Sequence, residues 1–344
     1  MRLKPILAAM LLATASTTTP AAAQSTLEVP ANAGWKHAQT GIVLRSTLGG
    51  YARVDIRDSS QTELDVMATY GSTDRTTVTV YIFRPALSSV PVWFDRSETQ
   101  ILARDVYGNA APQGQPLAFT PPGASATSGL RRVYLPSKGP FKATGLAIMP
   151  LGEWLVAIRV SSTELDTAAL DAKMSDLIAA IGWPVQPAAS PAAVPIAVCA
   201  TNLSYSRSAK LKKPNMGSAL LGGMLMGVIS DTEKAKPETV TAAPALCRDG
   251  AATTQYGVYR RLDATDSYTM ALGDAGITIS VTPGIQLDKK DPGYRLTLGM
   301  LDKTMVYPDF DKLPSPDKAF EAVRTNRPVS SVAHGSKDIT VTTQ

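Results

Sequence analysis

The sequence predicts an α+β protein: an antiparallel sheet covered by two helices, followed by a second, β-rich domain carrying a long apolar insert. Three observations predict it. From residue 41 to residue 83, apolar and polar side chains alternate with the two-residue period of half-buried strands. Apolar residues then recur twice at helical spacing, once from Trp93 and once from Leu170. Beyond residue 196, short β-rich runs are parted by turn-forming clusters.

The elements follow in order. "GIVLRST" and "YARVDIRD" are strands joined at Leu48-Gly49-Gly50, a hairpin-like pair. "LDVMATY" and "TTVTVYIF" follow, with "GSTDR" as their turn. The second places Val78, Val80 and Ile82 on one face and Thr77, Thr79 and Tyr81 on the other. At Ser89 the period changes. Pro91 suits a first helical turn, and Trp93, Phe94, Ser97, Ile101 and Leu102 repeat at helical spacing. Residues 108–129, rich in Gly, Pro and Ser, read as loop. "LRRVYL" and "EWLVAIRV" are two further strands. A closing helix is signalled by the T-x-x-D pattern of Thr163 and Asp166. Its stripe is Leu170, Met174, Leu177, Ile178 and Ile181, and its stop is Gly182 with Pro184.

This succession of strands, one helix, strands and a final amphipathic helix ending in "IGWP" resembles the small α+β domains of the PsbP/Mog1-like type. The resemblance covers the first domain and rests on pattern, without a diagnostic motif. It implies an accessory or binding module and carries over no functional residue.

Pro184, Pro187, Pro191 and Pro195 punctuate "WPVQPAASPAAVP" and disfavour both helix and central strand. Residues 184–195 are therefore expected to link a domain at 24–183 to one at 196–344. The second contains "AVPIAVCATNLSYS", "QYGVYRRL", "SYTMAL", "GITISVTP" and "YRLTLGM", an antiparallel sheet on the simplest reading. A long insert, 206–246, lies between its first two strands. The two cysteines, Cys199 and Cys247, read as one disulfide tying both ends of that insert to the sheet.

The first residues set the expected compartment. Arg2 and Lys4 precede the apolar run "PILAAMLLATA", which is too short to span a bilayer of about 30 Å. Ala21-Ala22-Ala23 is an A-x-A site, so cleavage is expected between Ala23 and Gln24, with the mature chain in the periplasm or secreted. The formal charge of +5 falls by the two leader cations and is dispersed. No basic stripe with interleaved aromatics exists, so no nucleic-acid partner is expected.

Motifs for catalysis are scarce. The two histidines, His37 and His334, lie far apart and outside any H-x-x-x-H spacing, so neither a metal nor a cofactor is expected. There is no G-x-S-x-G. One S-x-x-K occurs, Ser315-Pro316-Asp317-Lys318, but N-capping by Ser315, Pro316 in the first turn and Asp317 at the positive helix end explain it. His334 and Ser336 are neighbours in sequence, which does not make a triad. The acidic pairs Asp263/Asp266, Asp288/Asp291 and Asp309/Asp311 fall in turns and match no calcium loop.

The stretch "MGSALLGGMLMGVIS", 216–230, carries no charge and four glycines, behind Lys210, Lys212 and Lys213. As a helix it would be about 22 Å long, short of the hydrocarbon core. Each glycine would cost about 1 kcal/mol against alanine. Met216, Leu220, Leu221, Gly223, Met224, Gly227 and Val228 are the candidate interaction surface, for the protein's own core, a second copy, a protein partner or a membrane surface. The expected function is that of an exported, non-enzymatic accessory or binding protein of the cell envelope. The alternative is an envelope hydrolase with a non-standard serine or carboxylate site.

Overall fold

A computed structural model describes residues 24–72, 75–184, 190–213, 245–284, 293–336 and 338–341. The first sheet has ten strands. Along its main path run β1 (Ser25–Thr26), β5 (Tyr51–Asp58), β6 (Asp65–Gly71), β7 (Thr76–Phe83), β12 (Trp154–Ser162), β11 (Ala143–Leu151), β10 (Gly129–Leu135) and β8 (Ala111–Pro112), in that order. All neighbours are antiparallel; β4 (Thr47–Leu48) pairs with β5, and β9 (Leu117–Phe119) with β10. A separate two-stranded ribbon joins β2 (Trp35–Lys36) to β3 (Val43–Leu44). The β4–β5 hairpin turns through Gly49 and Gly50 at φ of 56° and 95°, which a side chain at both positions would strain.

Alternation gives the two faces of this sheet different partners. On one, Val66, Ala68, Tyr70, Val78, Val80, Ile82, Val156, Ile158 and Val160 pack with the stripe of α2 (Thr167–Ala180). Leu170, Met174, Leu177, Ile178 and Ile181 are all buried there, as their spacing predicts. The helix starts one turn later than the T-x-x-D pattern implies. Asp166 is the cap, accepting from the Ala169 N–H at 2.8 Å, whereas Thr163 donates to the Arg75 carbonyl. Close packing of α2 explains Gly145: a Cβ there would sit 2.4 Å from the Met174 sulfur.

The other face carries α1 (Val90–Leu102). Trp93, Phe94 and Ile101 are buried with Leu130, Tyr134, Leu146 and Ile148 of β10 and β11, while Leu102 is 37% exposed. The far side of α1 meets the second sheet, where Tyr259 and Ala271 join the same cluster.

That second sheet is a nine-stranded succession: β13 (Ala197–Val198), β14 (Leu246–Arg248), β15 (Tyr256–Arg261), β16 (Tyr268–Leu272), β17 (Ile277–Pro283), β18 (Tyr294–Gly299), β19 (Lys303–Phe310), β20 (Ser330–Ala333) and β21 (Ile339–Val341). It is antiparallel except at β13–β14, which pair in parallel. Pro308 would break a regular central strand. It is tolerated because the β18–β19 register slips between Tyr294 and Leu296, leaving an extra residue on β19. The outer face of this sheet buries Met270, Ile279, Val281 and Leu296 with Ala319 and Ala322 of α3 (Pro316–Thr325).

The α+β expectation is therefore wrong. The protein is mostly β: 39% of the described residues lie in strands and 15% in helices, with three α-helices among them. The excess strand comes from segments that alternation does not reveal. β11 is buried along its whole length and interrupted by Gly145 and Pro150, and β19 carries the proline bulge. The stretch at 108–129 also yields two short strands, β8 and β9.

Charge joins the sheets across α1. Asp95, 8% exposed, accepts from the Tyr259 hydroxyl at 2.6 Å and pairs with Arg248. Fully buried Arg96 donates to the Gly273 and Thr254 carbonyls at 2.7 and 3.1 Å, and Gln100 reaches the Thr254 carbonyl at 2.6 Å. Asp95→Ala strands a buried phenol and a guanidinium together, so it is expected to cost about 3–5 kcal/mol in urea unfolding. Tyr259→Phe, which keeps the ring and the Arg248 pair, should cost about 1–2 kcal/mol.

Candidate functional site

A cleft of about 190 Å³ opens where the first sheet, α1 and the β16–β17 turn meet. Its floor is one face of three strands: Asp65 and Met67 from β6, Tyr81 and Phe83 from β7, Ala157 and Arg159 from β12. These side chains share a face because Met67 lies opposite Tyr81, and Tyr81 opposite Ala157, in antiparallel register. Ser97 enters from α1, Asp274 and Ala275 from the second sheet, and Gln24 and Ser59 form the rim.

The cleft is charged and partly dry. Arg159 pairs with Asp274 across the two sheets and lies 5.6 Å from the centre of the Tyr81 ring. Burial pushes the Asp65 carboxyl up to about 6; the neighbouring Asp58 and Asp274 charges add to the rise, and a hydrogen bond from Ser59 opposes it. Asp58 itself is tied down, accepting from the Ser60 N–H and hydroxyl and from the Glu63 N–H. Asp65 is thus a carboxyl whose charge changes near neutrality in a cavity that also holds a cation and a second carboxylate.

The residues singled out in the sequence fall elsewhere. Cys199 and Cys247 do form a disulfide, tying the chain just after β13 to β14. In the chain-entropy picture a loop of this size stabilises the fold by up to about 4 kcal/mol. Ala23 and the surface Met216, Leu220, Leu221, Gly223, Met224, Gly227 and Val228 lie outside the described residues, as do Asp288 and Asp291. Gln24, the expected first mature residue, stands at the cleft rim.

His37 is fully buried between Trp35 and Trp154. Its Nδ1 accepts from the Thr40 N–H at 3.1 Å, so Nε2 carries the proton and donates to the Glu63 carbonyl at 2.7 Å. Both nitrogens are engaged in holding a loop. His334 is pushed below its usual range by burial and by Arg84, and its backbone bonds to Asp302. Ser315 caps α3 without a side-chain bond, and Lys318 turns away to the Arg207 and Ala209 carbonyls, so S-x-x-K does not assemble. Asp263 pairs with Arg261, and Asp311 accepts from the Lys210 N–H. No group of three metal-ligating side chains occurs among the described residues.

No family model matches the chain, and neither a curated protein nor a solved structure matches it. The resemblance to PsbP/Mog1-like domains therefore rests on sequence pattern alone.

Folded Asp65 binds its proton more tightly than the unfolded chain, whose carboxyl titrates at 3.8. Its stabilising contribution is therefore complete below 3.8 and lost as pH rises through about 6. Asp65→Asn should raise stability at pH 7.5 by up to about 3 kcal/mol and change little at pH 4, read from thermal unfolding at both values.

Proposed function

We propose that this chain is an exported, non-enzymatic binding protein of the bacterial cell envelope, and that the cleft between its sheets holds a small ligand bearing an amine. The observation that carries the reading is Asp65, a carboxyl that ionises at neutral pH only against burial and two neighbouring carboxylates. A cationic group beside it relieves that cost, and Arg159 with Tyr81 offers an acceptor-binding fork and an aromatic wall for the rest of the molecule. The disulfide fits an oxidising compartment, and among the described residues no helix is long and apolar enough to cross a membrane. The leader and the A-x-A site at Ala23 add export, and the charge-free insert around Gly223 and Gly227 offers a surface for a protein partner, a second copy or envelope lipid.

One specific observation favours a second reading. A carboxyl titrating near neutrality beside another carboxylate is also what a general acid requires, so the hydrolase alternative centres on Asp65 rather than on a serine.

Two experiments test the export and the amine ligand. Mass spectrometry of the native protein should find a chain beginning at Gln24 with Cys199 and Cys247 joined; an intact Met1 with free thiols refutes export. Thermal-shift titration at pH 7.5 should show glucosamine raising the melting temperature where glucose does not, with the effect absent in Asp65→Asn. Equal shifts by both sugars, or none, reject the amine reading.

A further inference from the structure

We propose a second ligand site, distinct from the polar cleft, at the amino-terminal end of α1: a pocket for a medium-chain carboxylate such as octanoate. The cavity measures about 290 Å³ and is walled by Leu87, Pro91, Pro191, Val194, Ile196 and Leu246. Its apolar wall is built by residues 190–196, which run past α1 and are fastened by the Ala193 N–H to the Thr127 carbonyl at 2.9 Å. Val194 remains 70% exposed beside it.

The polar end of the pocket is electropositive without a cationic side chain. Ser89 and Val90 line it at the start of a thirteen-residue helix. The helix dipole places about half a positive charge there, and its first N–H groups have no intrahelical acceptor. The sequence leaves this charge uncompensated: the first turn holds no acidic residue, and the Ser89 side chain makes no capping bond. Among the described residues the Val90 and Val92 N–H groups have no acceptor, and Pro91 has no N–H to offer.

A second, independent observation points to an oxygen ligand. Ser128 lines the same pocket, is 1% exposed, and its hydroxyl has no hydrogen-bond partner. An orphaned hydroxyl at that depth costs free energy unless something accepts from it. A carboxylate accepts from Ser128 and from the helix N–H groups together, and a short acyl chain covers the prolines, valine and leucine. A phosphate would match the helix end but leave the apolar wall wet.

Isothermal titration of the purified protein with octanoate, below its aggregation concentration, tests this. Saturable one-site binding is expected, about tenfold weaker for octanol, which has no charge for the helix end. Ser128→Ala should weaken octanoate about fivefold while leaving the fold at least as stable. Ser89→Asp supplies the helix with its own carboxylate; it should keep or raise the melting temperature and abolish octanoate binding. Absence of saturable binding, equal binding of octanol, or full binding by the folded Ser89→Asp variant overturns the proposal. Because Asp65 is not part of this pocket, Asp65→Asn should bind octanoate as the wild type does; loss of binding in that variant also counts against a separate site.

Discussion

The structure turns on one buried contact: the carboxylate of Asp95, on a helix held between two sheets, accepting from Tyr259 and Arg248 of the second sheet. A buried carboxylate is tolerable only when its oxygens are satisfied, and here both are. Arg96, the next residue, points its guanidinium at the Gly273 and Thr254 carbonyls, so adjacent side chains of opposite charge grip β14 and β15 on one hand and the turns before β15 and after β16 on the other. Burial pulls Arg96 below its usual range, and Asp95 with Tyr259 works the other way. Apolar packing alone would let α1 slide along either sheet. The directional bonds allow only one seating, and with it one placement of Asp274 over the first sheet.

How much of this was legible depends on what each residue faces. Val78, Val80 and Ile82 alternate cleanly because their other neighbours are half wet, so β7 could be read directly. The stripe of α2 could be read for the same reason: one face is covered and the opposite one is solvated. β11 could not, since every residue of it is buried and no period remains. On α1 the apolar residues announced a helix, yet Asp95 and Arg96 sat where a solvated face would lie. Only the second sheet buries them, and no local pattern encodes the approach of a segment more than 150 residues away.

The candidate sites divide in the same way. A disulfide could be read from composition, since only two cysteines exist and an oxidising compartment would pair them. The charged cleft could not. Asp65, Arg159 and Asp274 come from three distant segments and resemble ordinary strand and turn residues in each. The visible signals were instead the conventional ones, two histidines and an S-x-x-K, and each is absorbed locally: His37 by a loop, Lys318 by two carbonyls.

That two clefts exist at all follows from dimensions. A helix with its side chains is about 10 Å across, whereas strands stand about 4.8 Å apart, so one helix covers little more than two strands. The first sheet has ten, and on this face α1 rests on β10 and β11. What remains must be covered by something else, which over part of this face is the second sheet's β16–β17 turn. Over β6, β7 and β12 that turn arrives with Asp274, and Arg159 answers it from the floor, so the gap left there is polar. At the start of α1 the covering segment is the proline-rich stretch 190–196, which lacks charge and, at each proline, a backbone donor, so the gap left there is apolar except for the helix end itself. The chemistry of each cleft is thus decided by which piece of chain closes it, not by the sheet beneath.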